Sequence, residues 1–260
     1  MCTLFLAHLQ HPRYPFVFIG NRDEAYERPT RRAEWWEEAP LVWAGRDLSG
    51  GGTWTGITRD GRFAALTNFR DPEHVNPDAP TRGHLVADFL TTRTSPEMYL
   101  NALHRNHTTF NGFNLVVGTP DALWYTHNVS APQNAPQTPQ KLAAGVYGLS
   151  NAWLDTPWPK VENGRMAFQN LLQQPDLSPV DFLGLMDDRT IFPDEILPKT
   201  GVPMEWERRL SALFITSPQY GTRITTLILV RNDGHTTCHE RTFHPESGTF
   251  SFTETHFDRL

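Results

Sequence analysis

The chain has 260 residues, 38% of them hydrophobic and 20% charged, which excludes a disordered chain and is enough for a substantial buried core. Its formal net charge is −6, from 23 Lys and Arg against 29 Asp and Glu with no basic run, so it has no electrostatic footprint for nucleic acid. No stretch approaches the roughly 20 apolar residues of a membrane-spanning helix.

Cys2–Leu9 alternates, with Cys2, Leu4, Leu6 and His8 on one face and Thr3, Phe5, Ala7 and Leu9 on the other. Both faces are largely apolar, the pattern of a strand buried between two layers. His11–Tyr14 turns and Pro15–Arg22 returns, which makes an N-terminal hairpin. The charged segment Glu24–Pro40 reads as a loop with short helical pieces. After the glycine-rich turn Asp47–Thr53 come two apolar runs, Trp54–Thr58 and Arg62–Asn68, joined by Asp60-Gly61, the strongest hairpin signal in the chain.

Asp71–Pro80 is a polar loop. Arg82–Thr92 and Pro96–Arg105 carry helical spacing, followed by strands over Phe113–Gly118, Ala122–Asn128 and Gly145–Leu149, with a Pro- and Gln-rich loop at Ala131–Gln140. Val161–Gln174, Val180–Asp187 and Pro203–Phe214 are expected helices. The chain closes with strands Arg223–Val230, Thr236–Thr242 and Thr249–Thr255, the first two joined by the turn Asn232-Asp233-Gly234. Helix pairs set between antiparallel hairpins predict two sheets packed face to face with helices outside. With no internal repeat and no linker, residues 1–260 read as a single α+β domain.

Cys2 and Cys238 provide no disulfide framework and fit a reducing compartment. The start of the chain lacks a basic leader and a small-residue cleavage site, so a cytoplasmic protein is expected. Cys238 reads as a packed strand residue. The histidines are scattered. His104 and His107 lie one helical turn apart with no Cys or carboxylate beside them, so no metal site and no cofactor are expected. Lysine occurs only at Lys141, Lys160 and Lys199, so the positive charge is nearly all arginine, which suits fixed carboxylate or phosphate contacts.

Cys2 carries the first candidate chemistry. An initiator Met before a small residue is commonly trimmed, which leaves one residue holding both a thiol and an α-amine. That amine titrates near about 7.7–8.0, close enough to neutrality to take the thiol proton. The alternative is a cysteine packed in a strand. Gly20-Asn21-Arg22-Asp23-Glu24 then follows the apolar run Phe16–Ile19 and ends beside the start of the first strand. Asn21 or Asp23 would lie near the Cys2 amine and Arg22 near the thiol, where a guanidinium favours thiolate; otherwise the segment is a solvated strand end. Asn68 and Asn151 each follow an apolar strand and are either amide donors to an oxyanion or strand-terminating turn residues. Gly50–Gly52 lets backbone approach a ligand with Trp54 as a wall, or is a hairpin entry.

Met1-Cys2-Thr3-Leu4, Asn21-Arg22-Asp23-Glu24, Gly51-Gly52-Thr53-Trp54, Ala65-Leu66-Thr67-Asn68, Thr81-Arg82-Gly83, Tyr147-Gly148-Leu149-Ser150-Asn151 and Tyr220-Gly221-Thr222-Arg223 occur in this order. Together they resemble the NRDE-motif family, whose animal members are called transport and Golgi organization protein 2. The resemblance spans essentially the whole chain and implies an N-terminal-nucleophile (Ntn) hydrolase-like fold, a four-layer αββα sandwich of two antiparallel sheets. It also implies a connection to lipid, acyl-coenzyme A or haem handling. A more distant resemblance is to choloylglycine hydrolases and penicillin V acylases, which cleave amides with an N-terminal Cys. It implies catalytic roles for Cys2, Asp23 and Asn151 and a loose match for Arg223; with the residues read above, the candidate site is Cys2, Asp23, Asn151 and Asn68 as catalytic and Asn21, Arg22, Trp54 and Arg223 as substrate-binding. One departure stands out: Arg22 and Asp23 are adjacent, where that group separates its Arg and Asp by three residues. Neighbours in an extended strand face opposite sides, so a bend or bulge is needed for both to point at Cys2.

Two function classes follow. One is hydrolysis or transfer of a small acyl or amide substrate through a Cys2 thioester. The other is a non-catalytic carrier for acyl-coenzyme A, lipid or haem.

Overall fold

A computed structural model describes residues 2–104, 109–130 and 139–260. His107 and most of the Ala131–Gln140 loop lie outside the described residues. In chain order the strands are β1 (Cys2–His8), β2 (Phe16–Ala25), β3 (Thr30–Trp35), β4 (Val42–Asp47), β5 (Thr55–Thr58) and β6 (Phe63–Asn68). Helices α1 (Gly83–Thr91) and α2 (Pro96–His104) precede β7 (Phe113–Thr119), β8 (Ala122–His127), β9 (Gln140–Lys141) and β10 (Gly145–Leu149). Helices α3 (Pro159–Leu171), α4 (Pro179–Leu185) and α5 (Met204–Arg209) lead to β11 (Tyr220–Val230), β12 (His235–His244) and β13 (Thr249–Asp258).

The strands form two antiparallel sheets. The first, six-stranded, has the order β10-β1-β2-β11-β12-β13, and the second, seven-stranded, runs β3 to β9 in sequence order. Strand alternation explains how they stack. Leu4, Leu6, Phe16, Phe18, Ile228 and Val230 point from the first sheet onto Trp43, Ile57, Phe63, Ala65, Val116 and Tyr125 of the second. The opposite face of the first sheet, with Phe5, Ala7, Val17 and Ile19, packs on Phe168 of α3 and Phe182 of α4. The outer face of the second, with Ala64, Leu66, Leu115 and Val117, packs on Leu85, Val86, Phe89 and Leu90 of α1 and Leu100 of α2. The central strands of each sheet are therefore buried on both faces, while the edge strands β3 and β13 are largely exposed, and the chain is a four-layer αββα sandwich of the α+β class. Each fully buried Phe or Leu contributes about 1.5–3 kcal/mol, so the three apolar interfaces dominate its stability.

Three segments depart from the sequence expectation. Within Glu24–Pro40, β2 runs on to Ala25 and β3 forms an edge strand in which Ala33 and Trp35 turn inward while Arg31, Arg32 and Glu34 face solvent. Charged side chains protect an open edge, and they also mask the apolar alternation. Val42–Asp47, unassigned from sequence, is the strand that pairs with it. Within Pro203–Phe214 the helix stops at Arg209, and Leu210, Ala212, Leu213, Phe214 and Ile215 are buried as irregular chain. Its backbone is satisfied elsewhere: Phe214 N–H donates to Asp188 O at 2.8 Å, and Ile215 O accepts from Thr222 N–H at 2.8 Å. Among the described residues no helix is long and apolar enough to cross a membrane.

Candidate active site

The β1–β2 hairpin fixes the site. Cys2 pairs with Arg22 and Thr3 with Asn21, so Cys2 and Arg22 share the face that looks into the seam between the sheets. Asn21 and Asp23 share the helix-side face. The next strand breaks register here: β11 pairs Thr222 with Asp23 and Ile224 with Arg22, which leaves Arg223 as an extra, bulged residue.

The half-buried Cys2 thiol opens into a pocket of about 120 Å³ walled by Arg22, Asp23, Trp54, Asn68 and Arg82. The backbone N–H of Asp23 hydrogen-bonds the sulfur. Arg22 lies over the Trp54 ring at 4.6 Å and donates to Thr30 Oγ1 at 3.1 Å. Burial raises the thiol pKa and the Asp23 charge adds to this, while the Asp23 N–H and Arg22 oppose it. Two roomier depressions, about 290 Å³ beside Glu38 and Arg46 and about 340 Å³ beside Pro40 and Arg62, have no cysteine in their walls.

Behind Asp23 lies a buried charged cluster. The carboxylate is 1% exposed and its Oδ1 accepts from the Thr222 hydroxyl at 2.6 Å. Burial raises its pKa; Lys160, Thr222 and Arg70 pull it down. Lys160, 3% exposed in the first turn of α3, donates from Nζ to Leu210 O at 2.9 Å. Burial, aided by the Arg70 charge, lowers the Lys160 pKa from 10.5 to about 7, against the pull of Asp23, Cys2 and Glu207. Arg70 pairs with Glu207 at 2.7 Å, and Glu207 also accepts from Thr200 N–H and Oγ1 at 2.8 and 2.6 Å. Tyr220 caps the cluster, its hydroxyl donating to Asp23 O at 3.0 Å. Among the described residues no three His, Cys, Asp or Glu side chains converge on a point where a metal ion would fit.

The sequence profile of the family described as Transport and Golgi organisation 2 matches residues 1–245. The chain belongs to that family. It is 36% identical to the Bos taurus "Transport and Golgi organization protein 2 homolog", across 100% of this chain and 99% of the bovine protein. The Homo sapiens protein of the same description is 34% identical, across 97% of this chain and 99% of the human one. Among solved structures, the C2A mutant of a conjugated bile acid hydrolase from Clostridium perfringens aligns over 99% of this chain and 92% of that one, at 9% identity and a TM-score of 0.48.

In this Transport and Golgi organisation 2 family chain, Arg22–Glu24, Thr53-Trp54, Asn68 and Thr81–Gly83 from the recognised motifs meet at one pocket. Not every residue singled out from sequence reaches it. The Asn21 side chain points to the helix side, where Nδ2 donates to Met186 O at 3.0 Å and Leu213 O at 2.9 Å and Oδ1 accepts from Thr225 at 2.7 Å. Strand alternation forces this once Arg22 faces the pocket. Arg223, on the bulge, donates to the backbone oxygens of Ala25 and Arg28 and so clamps the β2–β3 connection instead of lining the pocket. Asn151 is fully buried behind Asn68, and its Nδ2 holds the Asn68 carbonyl at 2.8 Å.

The residues that sequence reasoning passed over are Arg82, Lys160, Arg70, Glu207, Tyr220 and Thr222. Arg82, Tyr220 and Thr222 stand inside recognised motifs, and Lys160 is one of three lysines. Arg70 and Glu207 carried no local signal.

Proposed function

We propose that this protein is an N-terminal-cysteine acyl-transfer enzyme that cleaves an amide or related acyl bond of a small substrate. The observation that carries this reading is the Cys2 thiol at the base of the pocket, with Arg22 on the thiol side of the strand and the Asp23 carboxylate on the other. Removal of Met1 leaves a neutral Cys2 amine on the backbone that Asp23 flanks, and that carboxylate stabilises the ammonium once a proton has moved to the amine. The amine takes the thiol proton, and the thiolate attacks the acyl carbon. In this reading the Asp23 N–H and the Asn68 amide receive charge on the developing oxyanion. Collapse passes the ammonium proton to the leaving amine and leaves a thioester, which water cleaves with the amine again as base.

A pocket of about 120 Å³ takes a reacting group. It falls below the roughly 300–1,000 Å³ typical of sites that engulf a drug-sized ligand. The size favours local acyl chemistry over carriage of a whole haem or lipid.

Intact mass spectrometry tests the reading. The protein from its native host is expected to lack Met1 and to gain one hydroxylamine-labile acyl group from a thioester-forming probe, and Cys2→Ala is expected to abolish the adduct. Quantitative retention of Met1, or equal labelling of Cys2→Ala, would remove the mechanism.

A further inference from the structure

Three arginines reach the pocket that holds the Cys2 thiol: Arg22, Arg28 and Arg82. Two are matched by acids. Arg28 grips Asp47 through Nε and Nη2, the shortest contact being 2.7 Å, and Glu24 lies 3.8 Å from both Arg22 and Arg28. Arg82 differs. Its Nη1 donates to Gly112 O at 2.8 Å, which anchors the guanidinium, and no carboxylate among the described residues forms an ion pair with it. Burial lowers its pKa, and the Cys2 thiol and Glu24, acidic groups in the same pocket, oppose that. Glu24 shares the pocket wall and acts on the Arg82 charge from beyond ion-pair range, and one hydrogen bond to a carbonyl leaves most of the planar donor fork for a second acceptor.

The backbone that carries Arg82 is also held in place. Gly83 O accepts from Thr53 N–H at 3.2 Å, and a Cβ on Gly52 would fall 2.2 Å from the Gly83 carbonyl carbon. The glycine-rich turn thus presses directly on the start of α1, and the guanidinium is positioned before any ligand arrives. Its fork matches a planar two-oxygen anion, and the pocket admits only a compact one.

We infer that Arg82 binds a carboxylate carried by the substrate close to the bond that Cys2 attacks, an inference that rests on Cys2 acting as the nucleophile. The substrate class is then a small acyl compound bearing an acid group, not a neutral amide.

Alkylation of Cys2 by iodoacetate and by iodoacetamide separates charge recognition from reactivity. The reagents differ in one charged group and attack the same thiolate fraction, so the ratio of their rates reports the anion site alone. Cys238 is 0% exposed and does not compete. In the wild-type protein the iodoacetate-to-iodoacetamide ratio is expected to exceed that of free cysteine in the same buffer. Arg82→Gln is expected to lower the ratio by about tenfold or more, the loss of a charge-assisted hydrogen bond. Arg82→Lys should restore part of it. In the unmodified chain, propionate should slow alkylation by iodoacetamide and propionamide should not, a measurement that needs no variant. A ratio that is equal in wild type and Arg82→Gln, or propionate without effect, overturns the carboxylate site and leaves the Cys2 nucleophile standing. Failure of both reagents to modify Cys2 overturns the nucleophile and this inference with it.

Discussion

The two sides of β2 at Arg22 and Asp23 meet very different surroundings. On the seam side, Arg22 meets a half-buried thiol, an indole and a pocket. On the helix side, Asp23 meets Thr222, Lys160 and Arg70 in a cluster closed from water. One peptide step separates a charge that lines an open pocket from a charge held in a closed cluster. A reactive thiol needs a nearby cation and access, and an orienting carboxylate needs burial and fixed donors. A strand supplies both at consecutive residues because its faces alternate. Cys238 shows what the seam does without such neighbours: it faces the same interior, and burial alone drives its pKa well above the usual thiol range.

The comparison breaks most visibly at Arg70. Arg70→Met leaves Glu207 buried without its cation and is expected to cost about 3–5 kcal/mol in urea unfolding. A loss within experimental error would mean that the cluster is not a closed charged unit.

The pH dependence of stability tests Lys160. A lysine whose folded pKa drops from 10.5 to about 7 makes the unfolded chain bind more protons between those values, so its contribution to stability rises with pH across that window. Lys160→Met is expected to be more stable than wild type at about pH 7, by on the order of a few kcal/mol, with the gap narrowing toward about pH 10. A gap independent of pH would show that Lys160 keeps an ordinary pKa. Asp23 works in the opposite sense, since its folded pKa is raised from 3.8 and its stabilising contribution is lost as pH rises through that folded value.

Thr222→Val gives the smallest change. It removes the hydroxyl that donates to Asp23 and accepts from Ile215 N–H, and should cost about 1–3 kcal/mol. It should also slow Cys2 alkylation only slightly, because the Asp23 N–H on the sulfur is untouched. A large kinetic effect with no stability change would move Thr222 from the support of the carboxylate to the pocket itself.

Much of this architecture was legible because it is local. Asp60-Gly61 and Asn232-Asp233-Gly234 announced their hairpins, and Gly61 and Gly234 adopt the positive φ such turns require, 83° and 89°. Cys2, Arg22, Asp23, Trp54 and Asn68 could be nominated because the chain returns to its own start within one hairpin or carries them in recognisable motifs. The charged cluster could not be nominated. Arg70 and Glu207 lie 137 positions apart, and their meeting depends on how α5 and the buried segment after it cross the end of the sheet. Asn21 went to the wrong side for the opposite reason: a hairpin fixes which residues are near, but a one-residue step decides which face they take. The strand at Thr30–Trp35 was hidden by charges that protect an edge and carry no information about the core.

The bulge at Arg223 has a consequence for how such a strand can change over generations. Thr222 opposes Asp23 and Ile224 opposes Arg22, as they would in a ladder with Arg223 absent. The extra residue is therefore accommodated with the pairing on either side intact. A gain or loss of one codon at this point alters the length of the strand but not its pairing, and what it adds is a free side chain that ties down the neighbouring turn through Ala25 and Arg28. A sheet can acquire a new tether by insertion, where substitution would have required giving up a residue already in use.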